Sequence, residues 1–356
     1  MGVSSVAQDE ESSPELLDWR LAASVGSFLA RGGPSVPRHE AEVAVRELRE
    51  LPLSAERHVR ELTGLGSGLE LLPSEVVDRP GWVRAAVGGM RELTGRALPV
   101  GDRGPFNAVL GSGAGLQTGA VLAFLGTKVL GQYDPFGGPT REGQLLTVAP
   151  NIVTAHRSMR VSGRDFRMWV CLHECTHRLQ FNAVDWLRDY FADEVSRLIG
   201  GVSDQEGFTD FLQRLPEMLG QLRQRRGDDS FGIVELVQSP AQREIFDRLI
   251  ALSTLLEGHA DYVMDAVGPE VVPSVATIRE RFTARRKGGG LLDRVLRSLL
   301  GVDAKIAQYE KGARFTREVV DAVGMNGFNA VWTSPNTLPT RAEIDSPRDW
   351  LRRVHD

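Results

Sequence analysis

The sequence contains little cysteine, and it lacks any long run of apolar residues. Only two of its 356 residues are cysteines, Cys171 and Cys175, and they lie four apart in a segment that predicts a helix. Side chains at this spacing are poorly placed for a disulfide, so we expect two core thiols in a reducing compartment. No apolar run approaches the roughly 20 residues that a transmembrane helix needs. The polar, acidic N-terminus lacks the basic and apolar regions of a secretory signal. These absences predict a cytoplasmic protein with no membrane span.

Positive charge is also scarce. Acidic residues outnumber basic ones by 47 to 42, which gives a formal net charge of −5 at pH 7. A nucleic-acid-binding protein normally carries a basic face, so this balance argues against nucleic acid as a partner. The 42% share of hydrophobic residues and the 25% share of charged residues are those of a soluble globular protein. A chain of this length can form one large domain or two ordinary ones.

The pattern of apolar residues divides the chain into three parts. Residues 1–13 are polar and predict a disordered leader. Residues 14–100 predict an N-terminal helical region, which includes separate helices over residues 38–51 and 54–63. A segment rich in Gly and Pro follows, and residues 101–356 then form the region that contains the candidate site. The alternative is that the two regions form one continuous domain.

Two segments that precede the candidate site can each be interpreted in two ways. Residues 106–131 are rich in glycine, but they lack the Lys-Ser/Thr pair of a phosphate-binding loop. We therefore expect a buried helix whose small residues let neighbouring elements approach closely, rather than a nucleotide site. Residues 144–153 give the clearest strand pattern in the chain, and Pro150 either makes this an edge strand or ends it. An exposed edge at this point could accept an extended peptide as a further strand.

The strongest chemical signal is the run HECTH, in which Glu174 follows His173 and precedes His177. Residues four apart lie on the same face of a helix, so both imidazoles can reach one metal ion. Glu174 is then placed to hold and deprotonate a metal-bound water. The alternative is a helix with two solvated or buried histidines. The apolar surroundings argue against that alternative, because buried imidazoles need partners and a metal supplies one.

A catalytic zinc usually has three protein ligands and an open position for water. Glu257 supplies a carboxylate in a strongly apolar helix over residues 240–267, and we predict that it is the third ligand. His259 is the rival ligand, but it points about 200° round the helix from Glu257, so the two cannot face one ion. Asp261 lies one turn beyond Glu257, and we expect it to accept the free ring N–H of a ligand histidine. An ordinary solvated helix face is the alternative for both carboxylates.

Three patterns in the C-terminal half have no part in the candidate site. Residues 205–225 and 291–300 predict amphipathic helices. Residues 279–287 carry four arginines and one lysine, and three glycines follow them. We expect this basic segment to be a solvated loop rather than an anion-binding site, because the chain as a whole is acidic.

The HECTH run and the later Glu257 helix resemble those of zincin metallopeptidases whose third ligand is a glutamate. More narrowly, the chain is similar to an uncharacterised zincin-like family of actinobacteria that is labelled as associated with biosynthesis of the deazaflavin coenzyme. The resemblance lies in LGTKVLGQYD at 125–134, the HECTH helix, LLEGHAD at 255–261, FNAVW at 328–332 and LPT at 338–340. It covers nearly the whole chain from about Trp19 and implies a largely helical zincin with one zinc ion per chain.

We therefore predict a mainly α (α+β), zincin-like protein with a small sheet whose edge strand precedes the HExxH helix. The predicted function is a zinc-dependent hydrolase of the peptidase type, which acts on a peptide or a small amide. Four residues are candidates for contacting the substrate or stabilising the transition state: His156, His259, Tyr262 and Tyr309. Two alternatives stay open. A fourth ligand, such as Cys175 or His259, would favour an inactive, metal-stabilised binding protein, and a narrow cleft would favour an amidase of small metabolites.

Overall fold

A computed structural model describes residues 17–30, 32–95, 105–200, 240–287 and 302–356. The leader predicted at 1–13 and the helices predicted at 205–225 and 291–300 lie outside the described residues. Within the described part, helices dominate and three short strands form one sheet. The mainly α (α+β) fold class is therefore confirmed. None of the described helices combines the length and the apolar character that crossing a bilayer would require.

The elements follow one another as a helical first part, a sheet with the central helices, and a helical last part. The first part contains α1 (Trp19–Leu29), α2 (Arg38–Thr63), β1 (Glu75–Val77), α3 (Arg79–Gly95) and α4 (Pro105–Gly126). The centre contains β2 (Gly131–Asp134), β3 (Gln144–Val148), α5 (Ala149–Met159), α6 (Gly163–Asn182) and α7 (Leu187–Gly200). The last part contains α8 (Pro240–Ala266), α9 (Gly268–Val271), α10 (Val275–Lys287), α11 (Val302–Phe328), two 3₁₀ turns (Asn329–Trp332 and Pro335–Thr337), α12 (Arg341–Asp345) and α13 (Pro347–His355).

β3 is the central strand of the sheet, in the order β1-β3-β2. It pairs in parallel with β1 and antiparallel with β2. Leu146 and Val148 pack into the core formed with α1, α3 and α4, whereas Leu145 packs into the core that contains α6. The prediction that this strand lies at an edge is therefore wrong. The alternative, that the strand ends at Pro150, agrees with the structure: β3 ends at Val148, and residues 149–153 of the predicted strand begin α5. Pro150 lies in the first turn of α5, where its missing N–H has no helical partner to lose.

The edge strand next to the HExxH helix is β2. Its antiparallel partner β3 covers one side, with Gly131 opposite Thr147 and Asp134 opposite Gln144. At its other side the backbone N–H of Tyr133 donates to the carboxylate of Glu174 on α6. The edge beside the candidate site therefore belongs to β2, whereas the sequence pattern indicated β3, the next strand in the chain.

α2 is one helix of 26 residues and not the two shorter helices that the pattern predicted. Pro52 lies inside it and has no N–H to donate to the carbonyl of Leu48, four residues earlier. The hydroxyl of Ser74 donates to that carbonyl instead, at 3.0 Å. The carbonyl of Pro52 in turn accepts from the thiol of Cys175 on α6, at 3.4 Å. A long-range hydrogen bond therefore compensates for the proline, and α2 packs along α6 without a break.

Most of the glycine-rich segment 106–131 forms a helix as predicted: α4 ends at Gly126, and Gly131 begins β2. The small residues of α4 face α1. A Cβ on Gly115 would lie 2.6 Å from the carbonyl oxygen of Asp18, and a Cβ on Gly119 would lie 2.7 Å from that of Ala22. The two helix backbones could not approach this closely with larger side chains. Close helix packing, and not phosphate binding, accounts for these glycines.

The basic segment 279–287 belongs to the helix α10, so the prediction of a solvated loop is wrong. Arg279 donates to the carboxylates of Asp261 and Asp265 on α8. Arg281 donates to the carbonyls of Met159 and Arg160 at the end of α5. These contacts of Arg279 and Arg281 hold α10 across the ends of α5 and α8.

Candidate metal centre

α6 presents His173 and His177 on one face. The helix starts at the N-cap Ser162, whose hydroxyl accepts from the N–H of Asp165, and it continues to Asn182 without a break. The two ring centroids are 4.6 Å apart, and the Nε2 atoms are 3.1 Å apart. This is the arrangement that the four-residue spacing predicted, because it follows from helix geometry alone.

α8 brings Glu257 to the same point. Its Oε2 lies 3.4 Å from Nε2 of His173 and 3.7 Å from Nε2 of His177. Next to Glu257, Gly258 crosses Gly312 of α11 so closely that a Cβ on either glycine would overlap the other backbone segment. This close crossing holds that turn of α8 in place and with it the carboxylate of Glu257.

The three side chains fit a zinc ion. Zinc–nitrogen and zinc–oxygen bonds of about 2.0–2.1 Å in a tetrahedron put neighbouring ligand atoms about 3.3 Å apart. The observed separations of 3.1, 3.4 and 3.7 Å bracket that value. Two imidazoles and one carboxylate are also a donor set of catalytic zinc sites. Among the described residues, no other His, Cys, Asp or Glu joins this cluster.

The ligand side chains are partly exposed, and their charges interact. The exposed fractions are 22% for His173, 15% for His177 and 19% for Glu257, so solvent reaches the cluster. Burial alone would raise the pKa of Glu257, but hydrogen bonds from the two histidines outweigh it and hold the pKa well below the usual value. Burial would likewise lower the pKa of His177, but the hydrogen bond and charge of Glu257 raise it to about 9.

Each ligand histidine has a neighbour at its second ring nitrogen. Nδ1 of His177 lies 2.9 Å from Oε1 of Gln180, and Nδ1 of His173 lies 3.2 Å from the sulfur of Met264. An amide oxygen accepts strongly and a thioether sulfur accepts weakly. In both rings Nδ1 is therefore the nitrogen that keeps its proton, and Nε2 is the nitrogen that would bind a metal in place of the proton it shares with Glu257.

Glu174 lies between the two ligand histidines in sequence and is buried against β2. Its Oε2 accepts from the backbone N–H of Tyr133 at 3.0 Å. Gly131 leaves the space for it, because a Cβ there would lie 2.7 Å from Cγ of Glu174. Burial raises the pKa of Glu174, although the charges of His173 and His177 oppose the rise. A carboxylate whose pKa is moved towards neutrality is well suited to accept and return a proton.

Asp261 does not accept from a ligand histidine, so that prediction is wrong. Its Oδ1 accepts from Nη1 of Arg279 at 2.5 Å, and Arg279 also bonds Asp265 and lies over the ring of Trp169. The acceptor beside His177 is Gln180 instead. Gln180 comes three residues after His177, and residues at that spacing are neighbours on a helix surface, so the sequence did contain a signal for it.

The candidates for substrate contact are scattered. His156 is at the end of α5 beside Gly163, at the start of α6, which is ten residues and therefore about 15 Å of helix away from His173. Tyr262 is on α8, and the charges near its hydroxyl are Asp321 and Arg317 of α11. The side chain of Tyr309 lies outside the described residues.

The two residues that could have closed the site as a fourth ligand, Cys175 and His259, lie elsewhere. Burial raises the pKa of the Cys175 thiol, which donates to Pro52. His259 is fully buried, and its Nδ1 lies 3.0 Å from Nε2 of Gln180. Burial and the charge of His177 lower the pKa of His259 to about 3, so its ring is neutral.

A sequence model of the zincin-like metallopeptidases matches residues 17–351. The chain belongs to this family. The family implies zinc, which agrees with the donor set of the cluster. The narrower assignment to an actinobacterial family associated with the deazaflavin coenzyme stays a prediction. No curated protein matches the chain.

One solved structure is similar over almost the whole length. It is a crystal structure from Chloroflexus aurantiacus, described as a "putative hydrolase with a novel fold". The TM-score is 0.63 and the sequence identity is 27%, over 95% of this zincin-like chain and 98% of the other. Family membership and this structural similarity together support a hydrolase.

Proposed function

We propose that this zincin-like protein is a zinc-dependent hydrolase of the peptidase type. The observation that carries the proposal is the convergence of Nε2 of His173, Nε2 of His177 and Oε2 of Glu257, which lie 3.1–3.7 Å from one another. Three protein ligands leave one position of a tetrahedron for water, which is typical of a catalytic site and not of a structural one. The buried carboxylate of Glu174 supplies the base beside that position.

The proposed reaction is addition of water to an amide. A zinc ion held by His173, His177 and Glu257 would lower the pKa of water to about 7 and polarise a carbonyl oxygen. Glu174 accepts a proton from the attacking water as the new C–O bond forms at the carbonyl carbon. It returns the proton to the amide nitrogen as the C–N bond breaks, so that an acid and an amine leave. The hydrogen bond from Tyr133 holds the carboxylate of Glu174 in place through both transfers.

A cavity further along α6 is a candidate to hold part of a substrate. Its volume is about 250 Å³, and Phe181, one helical turn after His177, lies in its wall. The proposed ligands and Glu174 do not line it, and most of its lining is charged: Glu56, Glu70, Arg141, Glu142, Arg178, Asp185 and Arg188. A space of this size and lining could take a polar side chain of a peptide that extends from the cleaved bond.

The test compares the wild type with Glu174→Gln. Both proteins are assayed for zinc content and for cleavage of a peptide library, with and without a chelator. We expect both to hold one zinc ion, and we expect the variant to cleave at least about 100-fold more slowly, because it cannot accept a proton. The control is Glu270→Gln, which removes an exposed carboxylate on α9 and should leave the rate unchanged.

Two results would contradict the proposal. If Glu174→Gln cleaves peptides at the wild-type rate, then Glu174 is not the general base. A zinc-loaded wild type that cleaves neither peptides nor small amides would favour the metal-stabilised binding protein, whereas cleavage of small amides alone would favour an amidase.

A further inference from the structure

Two fully buried residues behind the cluster, Gln180 and His259, take no part in the proposed reaction. We propose that they are positioning residues for the zinc site: Gln180 fixes the ring of His177 with its proton on Nδ1, and His259 fixes the amide of Gln180. The inference rests on the proposed zinc ligands and not on the substrate or on the rate of hydrolysis.

The orientation of the Gln180 amide follows from its partners. Its Nε2 donates to the backbone carbonyl of Leu256 at 3.0 Å, and a carbonyl can only accept. The second N–H of the same nitrogen points to Nδ1 of His259, also at 3.0 Å. With both N–H groups used, Oε1 is the atom that faces Nδ1 of His177, at 2.9 Å. An oxygen there accepts from the ring, so Nε2 is the nitrogen left to bind a metal.

The same amide connects the two helices that carry the ligands. Gln180 is on α6, three residues after His177, and Leu256 is on α8, directly before Glu257. One side chain therefore links the backbone next to the carboxylate ligand with the ring of a histidine ligand. Loss of the amide would change both the ring orientation and the distance between the helices.

Apolar packing alone does not explain why position 259 is a histidine. Its ring lies against Phe328 and Trp332, with centroids 5.0 and 5.7 Å away, and neither contact requires an imidazole. No described residue bonds its Nε2, which is buried. A buried polar atom without a partner destabilises the fold. The hydrogen bond from Gln180 to Nδ1 is the contact that a phenyl ring could not make.

The test measures two quantities for each variant: the dissociation constant for zinc, by competition with a chelator, and the melting temperature of the metal-free protein. Gln180→Met removes both functions of the amide at similar volume, and we expect zinc binding to weaken by about 10- to 100-fold. Gln180→Glu keeps an acceptor for Nδ1 of His177 and should bind zinc more tightly than Gln180→Met. His259→Phe should weaken zinc binding while the melting temperature stays the same or rises.

The matched control is Cys175→Ala, another buried change on α6, which removes a contact with Pro52 and touches no ring nitrogen. It should lower the melting temperature and leave the zinc dissociation constant unchanged. The proposal is overturned if Gln180→Met binds zinc as the wild type does, or if all variants, the control included, weaken binding in proportion to lost stability. A wild type that binds no zinc overturns this proposal and the proposed function together. A wild type that binds zinc but cleaves nothing overturns the proposed function alone.

Discussion

At the scale of single residues, the position of Glu174 depends on a neighbour that has no side chain. Gly131 on β2 faces the carboxylate, and a Cβ there would lie 2.7 Å from Cγ and 2.9 Å from Oε1 of Glu174. The N–H of Tyr133, two residues later, then reaches Oε2 of the same carboxylate. Strand β2 therefore supplies both the space and the hydrogen bond that place the proposed base.

We predict that Gly131→Ala slows hydrolysis without removing zinc. The added methyl group must push Glu174 away from its position, and a displacement of about 1 Å at a catalytic group can cost about 100-fold in rate. Zinc content and kcat measure the two effects separately. The control is Gly88→Ala on α3, where a Cβ meets no atom within 4 Å. Unchanged kcat in Gly131→Ala would show that Glu174 can move without consequence.

At the scale of elements, the site depends on the crossing of two long helices. Gly258 of α8 and Gly312 of α11 face each other at the crossing, and neither could carry a Cβ without overlapping the opposite backbone. Glu257 adjoins this crossing. On its other side α8 is bonded to α6 through Gln180 and Leu256. α8 is thus held from two directions at the turn that carries the ligand.

We predict that Gly312→Ala destabilises the fold by about 1–3 kcal/mol, as overpacking at a close contact does. It should also weaken zinc binding, because α8 must move away from α11 and shift Glu257. Chemical denaturation and zinc competition measure the two effects. In Gly113→Ala on α4, where a Cβ meets nothing within 4 Å, we expect slight stabilisation, because alanine favours the helix. Equal behaviour of the two variants would show that the crossing is not tight.

At the scale of the whole molecule, a bound metal would tie together parts of the chain that are far apart in sequence. His177 lies on α6 and Glu257 lies on α8. In the sequence, α7 and residues 201–239 lie between these two helices. α6 lies in the core with α2, α5 and the sheet, whereas the middle of α8 lies in a second core with α7 and α11. Zinc would therefore cross-link two hydrophobic cores.

We predict that zinc removal lowers the melting temperature and that acid weakens zinc binding. Free zinc at 1,000 times its dissociation constant stabilises a protein by about 4 kcal/mol.

The raised pKa of His177, about 9 without metal, means that zinc must displace a proton at neutral pH. The affinity should therefore fall about tenfold for each pH unit below 9. Chelator competition at several pH values measures this slope, and an affinity that does not change between pH 6 and pH 8 would contradict it.

The sequence by itself determined what depends on spacing along one helix. His173 and His177 share a face because they are four residues apart, whatever the rest of the chain does. Glu257 could be predicted because a carboxylate in a strongly apolar helix needs a partner. Glycines such as Gly115 and Gly119 likewise indicate a closely packed helix, although they do not indicate that its partner is α1.

Only the tertiary structure decided which groups meet across different elements. Helix periodicity gives the direction in which Asp261 points, but not that Arg279 of α10 lies there. It cannot show that Ser74 completes the hydrogen bonding of α2 around Pro52, or that β3 has a strand on each side. Gln180 acquires its proposed role only when α8 brings Leu256 and His259 to it. The physical reason is that local geometry follows from neighbouring residues, whereas these contacts join residues that only packing of the whole chain brings together.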